Sequence, residues 1–492
     1  MQADLILHGA EIIDGTGAPR YAADLAVRDD RITAIGDLSH WQAGRRIDGT
    51  GLILAPGFID PHVHHDAAVL TDPDMPFMVS QGVTTIINGN CGFSIAPITA
   101  ETALPVQLRM IIGDALPRFA RYRDYHERLV QDPPAVNTAC LIGHSTLRAN
   151  AMADLDQPAS PSELSAMSQQ LEASLAEGAI GLSTGTFYAP SRAAPLAELT
   201  ALARIAAAEG KLYVTHMRDE GDRVIEALEE TFAVGRDACC DVHVSHHKCA
   251  GLANHGLSTR TLQMIEDFAA AHRVGLDTTP WIASSTVLNS GRHRQATRVI
   301  VAESETYPDM AGRDLADIAE GWGCDLDAAV DRLMPATAIF FIMDEADVQR
   351  ILSYRQTMIC SDGISGGSHP HPRVWGTFPR VLGHYARDLG LFSLEEAVQR
   401  MTSLPADRFG LGGRGRISIG GFADLVLFDA ATIREGATFE TPIRPAEGIR
   451  HVFVNGREVW AEGRSTGQRP GTALVKTAPG RVVSVSDRRK DQ

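Results

Sequence analysis

Short apolar runs recur along the middle of this chain, each bounded by Gly, Asp or Asn, and most are followed by a stretch of helical periodicity. The runs are LAPGFIDPHVHH, GVTTIINGNC, NTACLIGHS, AIGLSTGT, KLYVTHMR, DVHVSHHK, VGLDTTPW and TMICSDG. Between them, PSELSAMSQQLEASLAEG, AELTALARIAAAEGK, RVIEALEETFAVGRD and LEEAVQRMTS carry apolar residues at helical spacing. Alternation of this kind predicts parallel strands joined by crossover helices. Eight units over roughly 360 residues predict an α/β fold, a (β/α)8 TIM-like barrel over 56–413. An insertion is expected after the seventh strand, at about 285–345.

The two ends of the chain share another style. Residues 1–55 and 414–480 hold short alternating runs with Gly and Asp turns, such as DLILHGAEIID and GIRHVFVNGREVWAEGRS. They are expected to form one small β domain from both chain ends, leaving 481–492 as a tail. Asn455-Gly456, flanked by Val454 and Arg457, is suited to a two-residue hairpin turn. No internal repeat at a fixed period and no low-complexity tract is evident.

Composition narrows the function classes. The chain has 492 residues, with 44% hydrophobic and 22% charged, the make-up of a globular protein. Its formal charge of −16 is spread over dispersed acids, so neither nucleic acid nor an anionic membrane is expected as partner. No apolar stretch approaches a membrane span, and MQADLILHGAEIIDGTG lacks the pattern of a secretory leader. The seven cysteines (Cys91, Cys140, Cys239, Cys240, Cys249, Cys324 and Cys360) are scattered and odd in number, which fits reduced thiols and a cytoplasmic location. The oligomeric state stays open, with a monomer compatible with the sequence.

The chemistry sits at the strand ends. Run one ends in His62 and His64, run two in Asn90-Cys91-Gly92, run five in His216, run six in Ser245-His246-His247-Lys248 and run eight in Ser361-Asp362-Gly363. In a barrel these ends face one mouth. Two histidines at spacing two put both imidazoles on one side of a strand. His65 and His247, one residue on, are expected to point away, although a one-residue slip would exchange His247 for His246. A lone cysteine is ordinarily a small buried hydrophobe. Cys91 stands where the chain must turn, and with His216 and His246 it would make a three-ligand zinc site with one position open for water. Asp362-Gly363 reads either as turn chemistry or as a general base beside that water.

These residues resemble the amidohydrolase superfamily. GVTTIINGNCG, GHSTLR, SHHKCAG, HPRVWGTFPRVLG and LPADRFGLGGRGRISIGGFADLVLFD are more narrowly similar to the N-acyl-D-amino-acid deacylases, or D-aminoacylases, over nearly the whole chain. Run four, AIGLSTGTFYAP, lacks the lysine that dinuclear members use as a bridging ligand, which speaks against a hydantoinase or dihydroorotase. The resemblance implies a tight zinc on Cys91, His216 and His246, and a weaker second site on His62 and His64 that Cys91 can bridge. It implies Asp362 as the catalytic acid/base, Lys248 and Arg373 as anchors for a substrate α-carboxylate, and Ser284 and Ser285 as substrate contacts. Two departures stand out. Trp281 in Thr279-Pro280-Trp281, expected as a further substrate contact, takes a place where the family has a tyrosine, and VIVAESETYPDM lacks the family's Trp-Ser. Arg292, Arg294 and Arg298 lie near the insertion; one of them would suit an acidic substrate side chain, but an insertion is more often basic for no special reason.

The implied activity is zinc-dependent hydrolysis of an N-acyl-D-amino acid, a small-molecule substrate, to a D-amino acid and a carboxylate, by metal-activated water with Asp362 as general acid/base. The alternative is another metal-dependent amidohydrolase acting on a cyclic amide, a dipeptide or a larger acylated molecule. A barrel kept only as a binding or assembly module would tend to lose its ligand residues, and here all of them are present.

Overall fold

The computed structural model describes residues 1–99, 104–113 and 116–477 and the strand at 481–484. Eight parallel staves form its centre: Phe58–Asp60, Val83–Asn88, Asn137–Cys140, Gly181–Gly185, Leu212–His216, Val242–Val244, Val274–Thr278 and Thr357–Ile359. The first three pair in sequence order, and Ile142–Gly143 continues the third stave and pairs with the fourth. Staves four to eight follow in order. The ring closes where Gly363–Ile364 runs parallel to Val63–His64, with the Asp362 N–H donating to the His62 carbonyl at 2.9 Å. The helical stretches of the sequence form helices at Pro161–Ala176, Leu196–Ala208, Val224–Ala238 and Leu394–Met401. Two of them start at capping boxes, Ser160 with Glu163 and Ser393 with Glu396.

The first run does not form one strand. Ile53–Pro56 pairs antiparallel with Leu425–Phe428, joining the two chain ends in one sheet, and the barrel begins only at Phe58–Asp60. Gly57 marks the crossing. Its N–H donates to the Asp424 carbonyl, and a Cβ there would lie 2.2 Å from the Thr84 side chain. Run three is also broken, at Leu141, whose N–H reaches back to the Asn88 carbonyl. The Asn455-Gly456 turn forms with φ of 47° and 75°, closing a hairpin between Ile449–Val454 and Arg457–Ala461.

Between the seventh and eighth staves, Ala283–Val287, Arg298–Ser304 and Ala336–Phe341 make a separate antiparallel sheet. Helices Leu315–Trp322 and Leu326–Leu333 complete this segment. At the C-terminal end, Leu474–Thr477 pairs with Arg481–Ser484, while 478–480 and the rest of the tail, 485–492, lie outside the described residues. No described helix is long and apolar enough to cross a membrane.

The terminal sheet is tied to the barrel by one buried acid. Asp424 pairs with Arg414 and accepts the Asn455 N–H at 2.8 Å and the Asn137 amide, from stave three, at 3.3 Å. Breaking a buried, hydrogen-bonded ion pair leaves an uncompensated charge. Asp424→Ala should therefore lower the unfolding free energy by about 3 kcal/mol, read as an earlier midpoint in urea. A midpoint equal to that of the parent protein would remove this contact from the account.

Candidate active site

Six side chains from five strand ends meet at the barrel mouth. The Cys91 Sγ lies 3.2 Å from His62 Nε2, 3.3 Å from His246 Nε2 and 3.5 Å from His216 Nδ1. Asp362 Oδ1 lies 3.4 Å from His64 Nε2 and 3.7 Å from His62 Nε2. Three of these groupings (His62, His64 and Cys91; Cys91, His216 and His246; His62, His246 and Asp362) keep their ligand atoms within 4.8 Å of one another. His65 packs its ring against Phe77, and His247 Nε2 meets Thr261 at 2.9 Å, so both point away from the cluster.

The backbone is bent to aim them. Cys91, His246 and Asp362 all have left-handed backbone, with φ of 53°, 34° and 48°. Such conformations cost non-glycine residues free energy and gather where function demands them. Gly185, on stave four, makes room for the Cys91 turn, since a Cβ there would lie 2.0 Å from the Cys91 carbonyl oxygen.

Two carboxylates that sequence reasoning did not single out hold the cluster from behind. Asp277, on stave seven, lies 2.6 Å from His243 Nε2 and accepts the His246 N–H at 2.5 Å, with His62 Nδ1 at 3.9 Å. Glu220, in the loop after stave five, has His246 Nδ1 at 2.8 Å and Lys248 Nζ at 2.5 Å on one oxygen. Its other oxygen has Arg292 at 2.7 Å and His216 Nε2 at 3.5 Å. A proton on His246 Nδ1 directed at Glu220 leaves the Nε2 lone pair facing Cys91. Carboxylates behind imidazoles commonly orient metal-binding histidines in this way. In the sequence both acids look ordinary: Glu220 follows Asp219 in a polar turn, and Asp277 sits inside an apolar run.

Electrostatics favour a cation among these donors. Burial holds the His62 and His216 imidazoles neutral, well below their usual range. Burial, then the negative charges of Asp362 and Glu220, push the Cys91 thiol well above its usual range. The thiol does not ionise unaided, whereas a coordinated metal deprotonates it. Ring nitrogens His62 Nδ1, His64 Nδ1 and His216 Nε2 are buried without hydrogen-bond partners. One thiolate and several neutral imidazoles make a donor set suited to a borderline-soft divalent ion. Burial raises the Asp362 carboxyl, but Arg373 and the neighbouring histidines outweigh it and hold it well below the carboxylate range.

The residues picked as substrate contacts separate into two groups. Arg373 opens helix Arg373–Arg380 and pairs with Asp362 at 2.7 Å, and with Ser285 it lines a cavity of about 350 Å³ that also reaches His64. Lys248 is buried behind His246 on Glu220, and Ser284 accepts from Arg292 at 3.1 Å. Trp281 is not on that cavity wall. Its indole N–H donates to Thr377 at 3.1 Å, and the Arg380 guanidinium covers its ring at 4.6 Å. Because an indole nitrogen has one hydrogen to give, this bond uses its donor.

A barrel with histidines on its first, fifth and sixth staves and an aspartate on its eighth defines a class of metal-dependent hydrolases, and the comparisons agree with the geometry. The amidohydrolase family model matches residues 45–460. A D-aminoacylase of Alcaligenes xylosoxydans xylosoxydans is 50% identical over 475 residues, covering 96% of this chain and 98% of that protein. Among solved structures, a D-aminoacylase studied for its binuclear metal centre superimposes with a TM-score of 0.93 at 49% identity, covering 96% of this chain and 100% of that one. An N-acyl-D-glutamate deacylase from Bordetella bronchiseptica, complexed with zinc and a phosphonate inhibitor, gives a TM-score of 0.94 at 43% identity, with coverage of 97% and 100%. The chain belongs to the amidohydrolase family, in the group of the D-aminoacylases and N-acyl-D-amino-acid deacylases.

Glu220→Gln keeps the shape of the support and removes its charge. It should weaken divalent-metal binding about 10- to 100-fold, measured with added zinc by competition with a chromophoric chelator. Unchanged affinity would show that Glu220 does not orient the histidines.

Proposed function

We propose that this protein hydrolyses N-acyl-D-amino acids to a carboxylate and a free D-amino acid. The observation that carries the reading is the position of Asp362, which lies between the Cys91–histidine cluster and the Arg373 guanidinium, directly behind a cavity that His64 and Arg373 line. Cys91, His216 and His246 would hold one zinc ion tightly, and His62 and His64 with Cys91 would hold a second more weakly. Bound there, zinc supplies Lewis acidity toward the amide carbonyl and lowers the pKa of water to about 7.

The chain's own groups do the rest. Asp362, kept ionised by Arg373, accepts a proton from the attacking water. It then delivers that proton to the departing nitrogen, which leaves as an amine. Arg373 turns its guanidinium to the substrate α-carboxylate, a pairing its fork geometry suits. Ser285 borders the same space. Lys248, expected as a second α-carboxylate anchor, stands behind His246 and off that cavity, so we assign it to the charge balance of Glu220. Anchoring the carboxylate, the acyl carbonyl and the side chain at three points is enough to select one enantiomer. All seven cysteines are free, which supports a reducing, cytoplasmic setting.

Amine release from matched N-acetyl-D- and N-acetyl-L-amino acids, with zinc-loaded enzyme, tests the activity. Cleavage confined to the D series is the expected result, and cleavage of neither series would overturn the reading. Cys91→Ala should lose the tight zinc. Asp362→Ala should keep zinc, by elemental analysis, while kcat falls about 10²- to 10⁴-fold. An active Asp362→Ala enzyme would remove Asp362 from the proton transfer.

A further inference from the structure

The cavity over the site carries a charge pattern that the reaction itself does not require. It extends from His64, whose buried Nδ1 has no hydrogen-bond partner, and Arg373 to strand Arg298–Ser304 of the inserted sheet and the turn after it. Glu303 and Glu305 line this outer part, both exposed, and neither forms an ion pair among the described residues. Phe93, Val106, Ile111, Tyr188, Val287 and Met334 make the lining of the same cavity largely apolar.

Among the described residues, no free cation balances those two acids. Arg373 is the only Arg or Lys lining the cavity among the described residues, and Asp362 already engages it at 2.7 Å. The three arginines near the insertion are each committed elsewhere. Arg292 pairs with Glu220 at 2.7 Å, Arg294 with Asp327 at 2.8 Å and Arg298 with Asp314 at 3.0 Å. None of the three lines the cavity. A substrate with a second carboxylate would meet like charge there, whereas a cation on an apolar stem would meet both a matching wall and two acceptors.

We infer that the substrate carries a positive charge at the end distal to the scissile amide, and that Glu303 and Glu305 select it. The inference rests on the deacylase reading. The charge can reside on the amino-acid side chain, as in lysine or arginine, or on the far end of the acyl group. Both present the same chemistry to these carboxylates. Exposed ion pairs are individually weak, so a preference on the order of threefold per carboxylate, roughly tenfold for two, is the expected scale.

Zinc-loaded enzyme at low ionic strength would be given two matched pairs of substrates. N-acetyl-D-arginine against N-acetyl-D-citrulline varies the side-chain charge at nearly constant shape. N-(6-aminohexanoyl)-D-leucine against N-hexanoyl-D-leucine varies the charge on the acyl side. One pair should favour the cation by about tenfold in kcat/KM. That ratio should shrink toward unity in the E303Q/E305Q double variant and with added salt. A ratio taken within one preparation cancels any loss of folded enzyme. The inference is overturned if the neutral partner is equal or better in both pairs, or if the double variant keeps the preference. Hydrolysis of N-hexanoyl-D-leucine under those outcomes would leave the deacylase reading standing. Failure of every D substrate with zinc bound would sink both.

Discussion

A single buried carboxylate organises the mouth of this barrel. Glu220 takes His246, Lys248 and Arg292 on its two oxygens and stands 3.5 Å from His216. Burial raises the pKa of such a group, but Lys248 and the two histidines outweigh it and hold Glu220 ionised. Without that charge, two cations and two imidazoles would be left in a desolvated space with no counter-ion. With it, His246 is turned so that its second nitrogen faces Cys91. Asp277 fixes the His246 backbone from the other side.

The barrel supplies the second half of the arrangement. Parallel staves deliver their ends to one face, and short staves followed by left-handed residues turn the chain inward at once. Cys91, His246 and Asp362 each sit at such a turn. The strain is sustained because neighbours over-determine it. Gly185 leaves room for the Cys91 carbonyl, Asp277 holds the His246 N–H, and the His62 carbonyl holds the Asp362 N–H. The cluster is thus held by the ring itself, whereas the cavity beside it takes part of its lining from the inserted sheet, outside the ring.

Much of this was legible along the chain, for reasons that particular residues make plain. His62, His64, Cys91, His216, His246 and Asp362 stood out because reactive side chains recur at the ends of successive apolar runs, which a barrel brings to one face. The distinction between His246 and His247 followed from side-chain alternation, and the structure points His247 at Thr261. Other features had no such signal. Glu220 and Asp277 resemble any loop or strand acid until the fold sets them behind imidazoles. Trp281 lies in the segment after stave seven, but Thr377, nearly a hundred residues on, captures its N–H. The first apolar run was continuous in sequence, yet Gly57 divides it between two sheets because Leu425–Phe428 offers Ile53–Pro56 a partner.

The sequence by itself determined the alternation of strand and helix, the set of candidate ligands and the family, because these depend on local periodicity and on residue identity. Tertiary structure alone decided which acids support which imidazoles, which arginines are already neutralised and which glutamates face the cavity. Those outcomes depend on distances between residues far apart in the chain. Glu220 with Arg292 and Arg298 with Asp314 are pairings that no local pattern encodes. Coulombic interaction falls off with separation and rises as water is excluded, so it acquires a definite partner only when the fold has closed.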